Sequence, residues 1–134
     1  METRRAAERF VRVWQRGWAD HDVEALLGLY AEHCVHRSMP FRAPHRGRGQ
    51  LAEYLRWSFA RERVTDVRFS APVAGQDGVA VAEFLVLAEE DGAATSLAGC
   101  VFVRFDEAGL AVETRDYWHT ADGHQETAVQ FFLR

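Results

Sequence analysis

The chain has 134 residues, a length that fits one domain, and its 48% hydrophobic content supplies a sizeable core. A formal net charge of −4 argues against a nucleic-acid-binding protein, which normally presents a basic face. The sequence has no apolar run of about 18 residues, as a membrane span would need. The polar start Met1–Arg5 lacks the apolar core of a signal peptide. We therefore expect one cytoplasmic domain, 1–134, without nucleic-acid or membrane partners.

The first half of the chain has the period of helices. Residues 4–20 carry their apolar side chains on one face, which predicts an amphipathic helix. Asp22 is expected to cap a short second helix that includes Leu29 and Tyr30. A short extended piece, Cys34–Ser38, and a loop rich in Pro and Gly follow. A third helix is predicted over 48–61.

From residue 64 onward the period changes to two, which is typical of half-buried strands. Asp91-Gly92 is a hairpin signal between two of them. Helices followed by a meander of long strands indicate an α+β fold. We expect a curved antiparallel sheet of four to five strands, closed off by three N-terminal helices into a cone with an internal pocket. The predicted strands are 64–73, 79–90, 94–105 and 110–120.

Two further features concern the tail and the thiols. Residues 121–134 begin polar and end with the apolar run Val129–Leu133. Since a free apolar tail is unfavourable in water, we expect it to cover the pocket mouth or a partner subunit. Cys34 and Cys100 lie in apolar runs and are expected to be reduced.

Four segments, which together span nearly the whole chain, carry a family resemblance. The order of elements resembles that of the nuclear transport factor 2-like superfamily. Its enzymes include SnoaL-like polyketide cyclases, steroid Δ-isomerases and limonene epoxide hydrolases. The resemblance implies the cone fold but no single reaction, because the superfamily places different catalytic residues in one cone. The resembling segments are Asp22–Leu26 with Leu29–Glu32, Pro40–Arg48, Arg104–Gly109 and Arg115–Trp118.

The steroid isomerase pattern does not match. That pattern places an oxyanion-hole Tyr, a general-base Asp and a protonated Asp in the cone. Here these positions fall on Trp14, Ser38 and Val101. We therefore do not expect steroid isomerase activity.

The epoxide hydrolase pattern matches in part. Its last strand ends in an Arg-Asp-Tyr-aromatic run, and the run Arg115–Trp118 makes Asp116 the equivalent of the catalytic Asp. His36 and Ser38 stand where that family holds a water with Tyr and Asn. Phe84 and Val86 stand where it has an Arg and a second Asp, so the group that protonates the epoxide is missing.

Strand alternation points to Asp116 without any family. Asp116 shares a face with Leu110, Val112, Thr114 and Trp118, and this more apolar face is expected to line the pocket. Desolvation there disfavours the charged carboxylate and raises its pKa, which suits proton transfer near neutrality. The alternative is a buried Asp held by backbone donors or by an Arg.

Other side chains complete the predicted site. His36 could shuttle a proton or orient Asp116, or only bond a nearby loop. Ser38 could hydrogen-bond substrate or water, or only end its strand. The predicted substrate-binding residues are Trp14, Trp18, Tyr54, Phe84, Val101, Thr114 and Trp118.

Two weaker features lie near the middle of the chain. The basic loop Phe41–Arg48 precedes a helix and could bind an anion, although such a run is more often a solvated loop. His33 and His36 are three residues apart on an extended stretch and would face opposite ways. With no third ligand, we predict no metal site.

Together these features predict a metal-free, cofactor-free enzyme. It would carry out general acid–base chemistry (cyclisation, isomerisation or dehydration) on a small, largely apolar, polyketide-like metabolite. The alternatives are a limonene-type epoxide hydrolase with an altered acid, and a non-catalytic ligand-binding or dimerisation module. A homodimer through the outer sheet face is expected from the family and from apolar positions such as Val81, Leu85 and Phe102.

Overall fold

The computed structural model describes residues 1–127. Its helices are α1 (Thr3–Asp20), α2 (Val23–Leu27) and α3 (Gly47–Phe59). The strands are β1 (Tyr30–Ser38), β2 (His45–Arg46), β3 (Glu62–Phe69), β4 (Val73–Ala74), β5 (Val79–Glu90), β6 (Ala93–Phe105) and β7 (Ala111–Asp122). The strand order is β2-β1-β7-β6-β5-β3, and β4 pairs with β5. The predicted α+β class is confirmed.

Close packing joins the first two helices. The Asp22 carboxylate accepts a hydrogen bond of 3.1 Å from the Ala25 N–H and caps α2, as predicted. A Cβ at Gly17 would lie only 2.8 Å from Leu26 Cδ2, so the glycine lets α2 pack directly against α1. The apolar stripe of α1, which includes Phe10, is buried against the sheet.

The helical prediction for Leu29 and Tyr30 is wrong. Helix α2 ends at Leu27, and Tyr30 is the first residue of β1. The reason is pairing with β7: the Leu29 carbonyl accepts from the Ala111 N–H at 2.8 Å, and Tyr30 lies opposite Ala111. Strand β1 is thus longer than the predicted piece Cys34–Ser38.

One strand pairing differs from the expected antiparallel meander. Strand β1 runs parallel to β7, so the sheet is mixed. Helix α3 and the meander β3–β6 lie between the two strands in the chain and form the long crossover that a parallel pair requires. The register places Ser38 beside Asp116 and His36 beside Thr114 on the same face. This pairing builds the candidate site.

The alternation along β7 is interrupted near its start. Ala111 and Thr114 are both completely buried although they are three residues apart. The β6–β7 register shifts between Arg104 and Phe105, and the β1–β7 register also shifts in this region. Simple alternation placed Ala111 on the outer face, and the irregularity explains why that is wrong. From Thr114 onward the predicted faces agree with the burial pattern.

The main core lies between the helices and the inner sheet face. Both Cys34 and Cys100 are free thiols, as predicted. Within residues 1–127, no helix is long and apolar enough to cross a membrane.

The described part of the C-terminal tail lies on the outer sheet face. The Gln125 N–H donates to Ser96 Oγ at 2.8 Å, and Glu126 forms an ion pair with Arg68. Arg68 faces away from the core, because its neighbours on β3, Val67 and Phe69, are buried in it. The prediction that the tail covers the pocket mouth or a partner subunit depends on the apolar run Val129–Leu133. This run lies outside the described residues.

Candidate active site

Asp116 lies on β7 at a small inner cavity. Seven other residues line this cavity, and all but Tyr30 are apolar or indole side chains: Phe10, Trp14, Trp18, Tyr30, Phe69, Phe84 and Val101. The free volume is about 20 Å³, which is room for about one water molecule. The Asp116 side chain is 23% exposed. A partly exposed carboxyl group therefore faces a small, largely apolar space.

Burial sets the protonation of Asp116. Removal from water raises its pKa from the ordinary 3.8 to about 7, because the apolar surroundings disfavour the carboxylate. The acid and its conjugate base are therefore both populated near neutral pH. This is the condition under which one group can accept and return a proton.

His36 is the side chain beside Asp116. Its Nε2 lies 3.5 Å from Asp116 Oδ2, and its Nδ1 lies 2.7 Å from Thr114 Oγ1. The imidazole is 3% exposed, and this burial lowers its pKa to about 4. His36 is therefore neutral at neutral pH and has one N–H to donate.

Ser38 is occupied by its neighbours. It is 2% exposed, and its Oγ accepts a hydrogen bond of 3.1 Å from the Trp118 indole N–H. Ser38 thus holds Trp118 in place beside Asp116, with which Ser38 is paired in register.

A second, larger cavity lies on the α3 side of Ser38. Its volume is about 540 Å³. His45 stacks on Tyr54 with ring centroids 4.4 Å apart, and the Arg42 guanidinium lies 5.1 Å from the Trp118 ring centroid. The lining residues are Ser38, Arg42, Ala43, His45, Gln50, Glu53, Tyr54 and Trp57. This cavity is large enough for a metabolite, and the inner one is not.

A third cavity of about 320 Å³ lies on the other side of Trp18. Trp18 lines both this space and the inner cavity. Its indole N–H donates to Glu62 Oε2 at 2.9 Å, and His21 Nε2 lies 3.1 Å from the same oxygen. Trp18 therefore separates the inner cavity from the third one.

The predicted substrate-binding residues divide into three groups. Trp14, Trp18, Phe84 and Val101 line the inner cavity with Asp116. Tyr54 lines the second cavity. Thr114 is completely buried behind His36, and Trp118 is tied to Ser38.

Sequence reasoning missed three residues near the site. Tyr30 lines the inner cavity but had been assigned to a helix. His45 and Arg42 lie in the loop that was read mainly as solvated, yet both line the second cavity. The proline-rich stretch ahead of α3 was the available signal, because such loops carry function more often than regular elements do.

The structure also bears on the epoxide hydrolase pattern and on metals. Phe84 and Val86, which replace the Arg and Asp of that pattern, are 3% and 2% exposed and pack in the core. Neither can donate a proton to an epoxide. Among the described residues, no three potential metal ligands come together, and His33 is exposed whereas His36 is buried.

The helices, the mixed sheet and the enclosed carboxyl group together define a domain of the cone-fold class. A model of the SnoaL-like domain matches residues 7–114. The chain therefore belongs to the SnoaL-like domain family. The matched part ends two residues before Asp116, so the candidate catalytic residue lies just beyond it. No curated protein matches the chain.

Solved structures share the fold at low sequence identity. RV0760c from Mycobacterium tuberculosis superposes with a TM-score of 0.76 at 19% identity, covering 88% of this chain and 96% of that one. A provisionally assigned isomerase from Bacillus subtilis gives 0.76 at 18%, covering 89% and 90%. A provisionally assigned polyketide cyclase from Xanthomonas campestris pv. campestris gives 0.72 at 20%, covering 88% and 93%.

Proposed function

We propose that the protein is a small-molecule enzyme that uses Asp116 for cofactor-free general acid–base chemistry on a largely apolar, polyketide-like metabolite. The observation that supports this most is the Asp116 carboxyl group at the wall of an apolar cavity, with a pKa of about 7 caused by burial. A largely buried carboxylate is costly unless it is paired, and among the described residues only the neutral His36 lies beside Asp116, so proton transfer gives a reason to keep it. The reaction would be a cyclisation, isomerisation or dehydration.

The proposed step is proton transfer from carbon. The Asp116 carboxylate takes a proton from a carbon next to a carbonyl group, and the C–H electron pair passes into an enolate. In an isomerisation the enolate takes the proton back at another carbon. In a cyclisation its carbon attacks a second carbonyl of the same substrate, and the new alkoxide takes the proton. His36, 3.5 Å from Oδ2, would orient the carboxyl group.

The substrate must come close to Asp116 although the inner cavity is small. The second cavity, with Tyr54 and His45 stacked in its wall, offers about 540 Å³ next to Ser38. Holding a substrate there against the stacked rings of Tyr54 and His45 would supply positioning, which can lower a barrier by several kcal/mol. The SnoaL-like family and the structural neighbours named as isomerase and polyketide cyclase are consistent with this class of reaction.

The test is proton abstraction from simple carbon acids. Apolar cyclic ketones and 1,3-diketones would be incubated with the protein in D₂O, and deuterium uptake at the α-carbon would be followed by NMR. We expect the protein to accelerate the exchange, and we expect Asp116→Asn to reduce that acceleration by at least about 100-fold. Asp91→Asn, the same change at an exposed hairpin tip, should leave the rate unchanged.

Exchange that survives in Asp116→Asn would show that another group takes the proton. Exchange that is absent from wild-type protein for every ketone, together with unchanged ligand affinity in Asp116→Asn, would favour a ligand-binding module instead. One observation supports this second candidate: the inner cavity holds only about 20 Å³. A computationally designed 17-OHP binder also shares the fold, with a TM-score of 0.75 at 20% identity over 88% of this chain and 98% of that one.

A further inference from the structure

Two buried polar side chains, Thr114 and His36, lie behind Asp116. Thr114 Oγ1 lies 2.7 Å from His36 Nδ1, and His36 Nε2 lies 3.5 Å from Asp116 Oδ2. Thr114 and His36 are 0% and 3% exposed. Their protons must therefore be satisfied within the protein.

The chemistry of the two groups gives their contact a direction. The Thr114 hydroxyl has a single proton, and its side-chain hydrogen-bond partner among the described residues is His36 Nδ1. If Nδ1 carries no hydrogen, it accepts that proton, and the buried hydroxyl is satisfied.

The opposite direction leaves one proton without an acceptor. If His36 carried its hydrogen on Nδ1, it would donate to Thr114, and the Thr114 proton would have no side-chain acceptor among the described residues. A buried hydroxyl left in this way is unfavourable.

We propose that Thr114 is a positioning residue that fixes His36 as the tautomer with its hydrogen on Nε2, the ring nitrogen nearer Asp116. Nε2 lies 3.5 Å from Asp116 Oδ2, so Oδ2 is the oxygen that faces a donor whether Asp116 is ionised or protonated. The acid proton is confined to Oδ1, and Oδ1 becomes the oxygen that exchanges a proton with substrate. The role of Oδ1 in exchanging a proton with substrate rests on the proposed function. The tautomer of His36 is a property of the protein without substrate.

Other titratable groups surround the His36 ring and must be considered. Tyr30 and Tyr54 have pKa values raised by burial, so both stay neutral. The ring centroid of His45 lies 6.2 Å from that of His36. Burial lowers the pKa of His45, so its imidazole is uncharged near neutral pH. Arg42 lies on the Tyr54 side of the site. Asp116 is thus the group whose charge changes next to His36 near neutral pH.

The experiment reads the tautomer directly. Long-range ¹H–¹⁵N NMR spectra of uniformly labelled protein distinguish the protonated from the bare ring nitrogen, and His36→Gln assigns the signals. At about pH 6, where His36 is neutral and Asp116 mostly protonated, we expect the Nε2–H form in at least about tenfold excess. The exposed His119 serves as an internal reference. A predominant Nδ1–H form in wild-type protein would overturn the proposal.

A matched pair of substitutions tests Thr114. Thr114→Val keeps the shape but removes the hydroxyl, so the ratio of tautomers should fall by at least about tenfold as Nε2 becomes free to accept the Asp116 proton. Thr114→Ser keeps the hydroxyl and should retain the wild-type ratio. An unchanged ratio in Thr114→Val would contradict the role of Thr114. If that variant does not fold, the wild-type and Thr114→Ser spectra still decide the proposal.

This result is separable from the proposed function. The spectra need no substrate, so a single Nε2–H tautomer would stand even if Asp116→Asn kept full activity. Conversely, loss of activity in Asp116→Asn together with a mixed tautomer in wild-type protein would keep the proposed function and refute the role of Thr114.

Discussion

Burial acts in opposite directions on the two ionisable side chains of the site. It raises the pKa of Asp116 to about 7 and lowers the pKa of His36 to about 4, because each loses the water that would stabilise its charge. Between these two values the pair is uncharged. The folded state is therefore most stable when both groups are neutral, and ionisation of Asp116 destabilises it.

The first prediction concerns stability and pH. The folded protein holds the Asp116 proton longer than the unfolded chain does, so this residue lowers the free energy of unfolding as pH rises from about 4 to about 7. His36 gives up its proton sooner when folded, so it raises that free energy from about pH 4 to about 6.5. The two effects largely offset in wild-type protein.

Asp116→Asn removes only the first effect. We expect the variant to match wild type near pH 4 and to be more stable by about 2–4 kcal/mol near pH 8. Urea denaturation at both pH values measures this, with Asp91→Asn as the control that should follow wild type. A variant no more stable than wild type at about pH 8 would mean that the folded protein accommodates the Asp116 charge without cost.

At the scale of single residues, the sequence predicted the face of β7 on which Asp116 lies. It did not predict the contact between His36 and Thr114 beside it. Alternation along β7 identified the correct face, because a strand period of two holds wherever the register is regular. The contact of His36 with Thr114 joins residues 78 positions apart and depends on which strands pair. Nothing in the local pattern of either strand contains that information.

At the scale of elements, the periodicity of the sequence predicts where the long hairpin strands β5 and β6 begin and end, but it does not predict how β1 pairs. Strand β5 has the predicted limits, and β6 differs by one residue, because alternation and the Asp91-Gly92 turn mark their ends. Both turn residues have positive φ, 52° and 81°, as the hairpin signal implies. The parallel pairing of β1 was not predicted, since strand alternation is the same for parallel and antiparallel partners.

Gly99 on β6 permits a close approach of β7 beside the site. A Cβ at this position would overlap the Tyr117 carbonyl oxygen and lie 2.7 Å from Trp118 Cα. We expect Gly99→Ala to lower the free energy of unfolding by about 3 kcal/mol, because backbone atoms must move. The displaced Trp118 would also lose its hydrogen bond to Ser38.

The matched control is Gly49→Ala on α3, where no atom lies within 4 Å of the added methyl group. This change should raise stability by about 0.5–1 kcal/mol, since alanine favours a helix over glycine. Chemical denaturation of both variants gives the comparison. If the two substitutions had effects of the same sign, the close approach at Gly99 would not be a constraint on the fold.

At the scale of the whole molecule, the outer sheet face divides into two parts. One part, around Ser96 and Arg68, is in contact with the chain's own segment 123–127. Leu85, an expected interface residue, is 1% exposed and offers no surface to a partner. The other part exposes Phe102 and Tyr117, which pack edge to face with centroids 5.9 Å apart and are 43% and 38% exposed.

We propose that a homodimer forms through this second part of the outer face. Phe102→Arg should then convert a dimer to a monomer in sedimentation velocity, because a buried unpaired charge opposes association. Phe41→Arg changes a fully exposed phenylalanine in the loop before α3 and should leave the assembly unchanged. A monomeric wild-type protein, or a dimer that tolerates Phe102→Arg, would rule out this interface.

The overall architecture was more predictable than the surface. Element order and alternation specified helices that cover a sheet around an enclosed carboxyl group. The division of the outer face was not predictable, because the contacts of Gln125 and Glu126 arise from where the chain turns after β7. The size of the inner cavity depends on the rotamers of Trp14 and Trp18, which one sequence does not specify.

The parallel pairing of β1 with β7 also determines when the site can exist. His36 and Thr114 are separated by 78 positions, so His36 is synthesised long before the strand that completes its surroundings. A growing chain on the ribosome that has emerged only as far as β6 presents β1 without its β7 partner, as an open edge. Such an edge is prone to non-native pairing until the last strand arrives. The contact between His36 and Asp116 is thus assembled only after β7 has been made, and any chain that stops before residue 111 has neither Asp116 nor a β7 partner for β1.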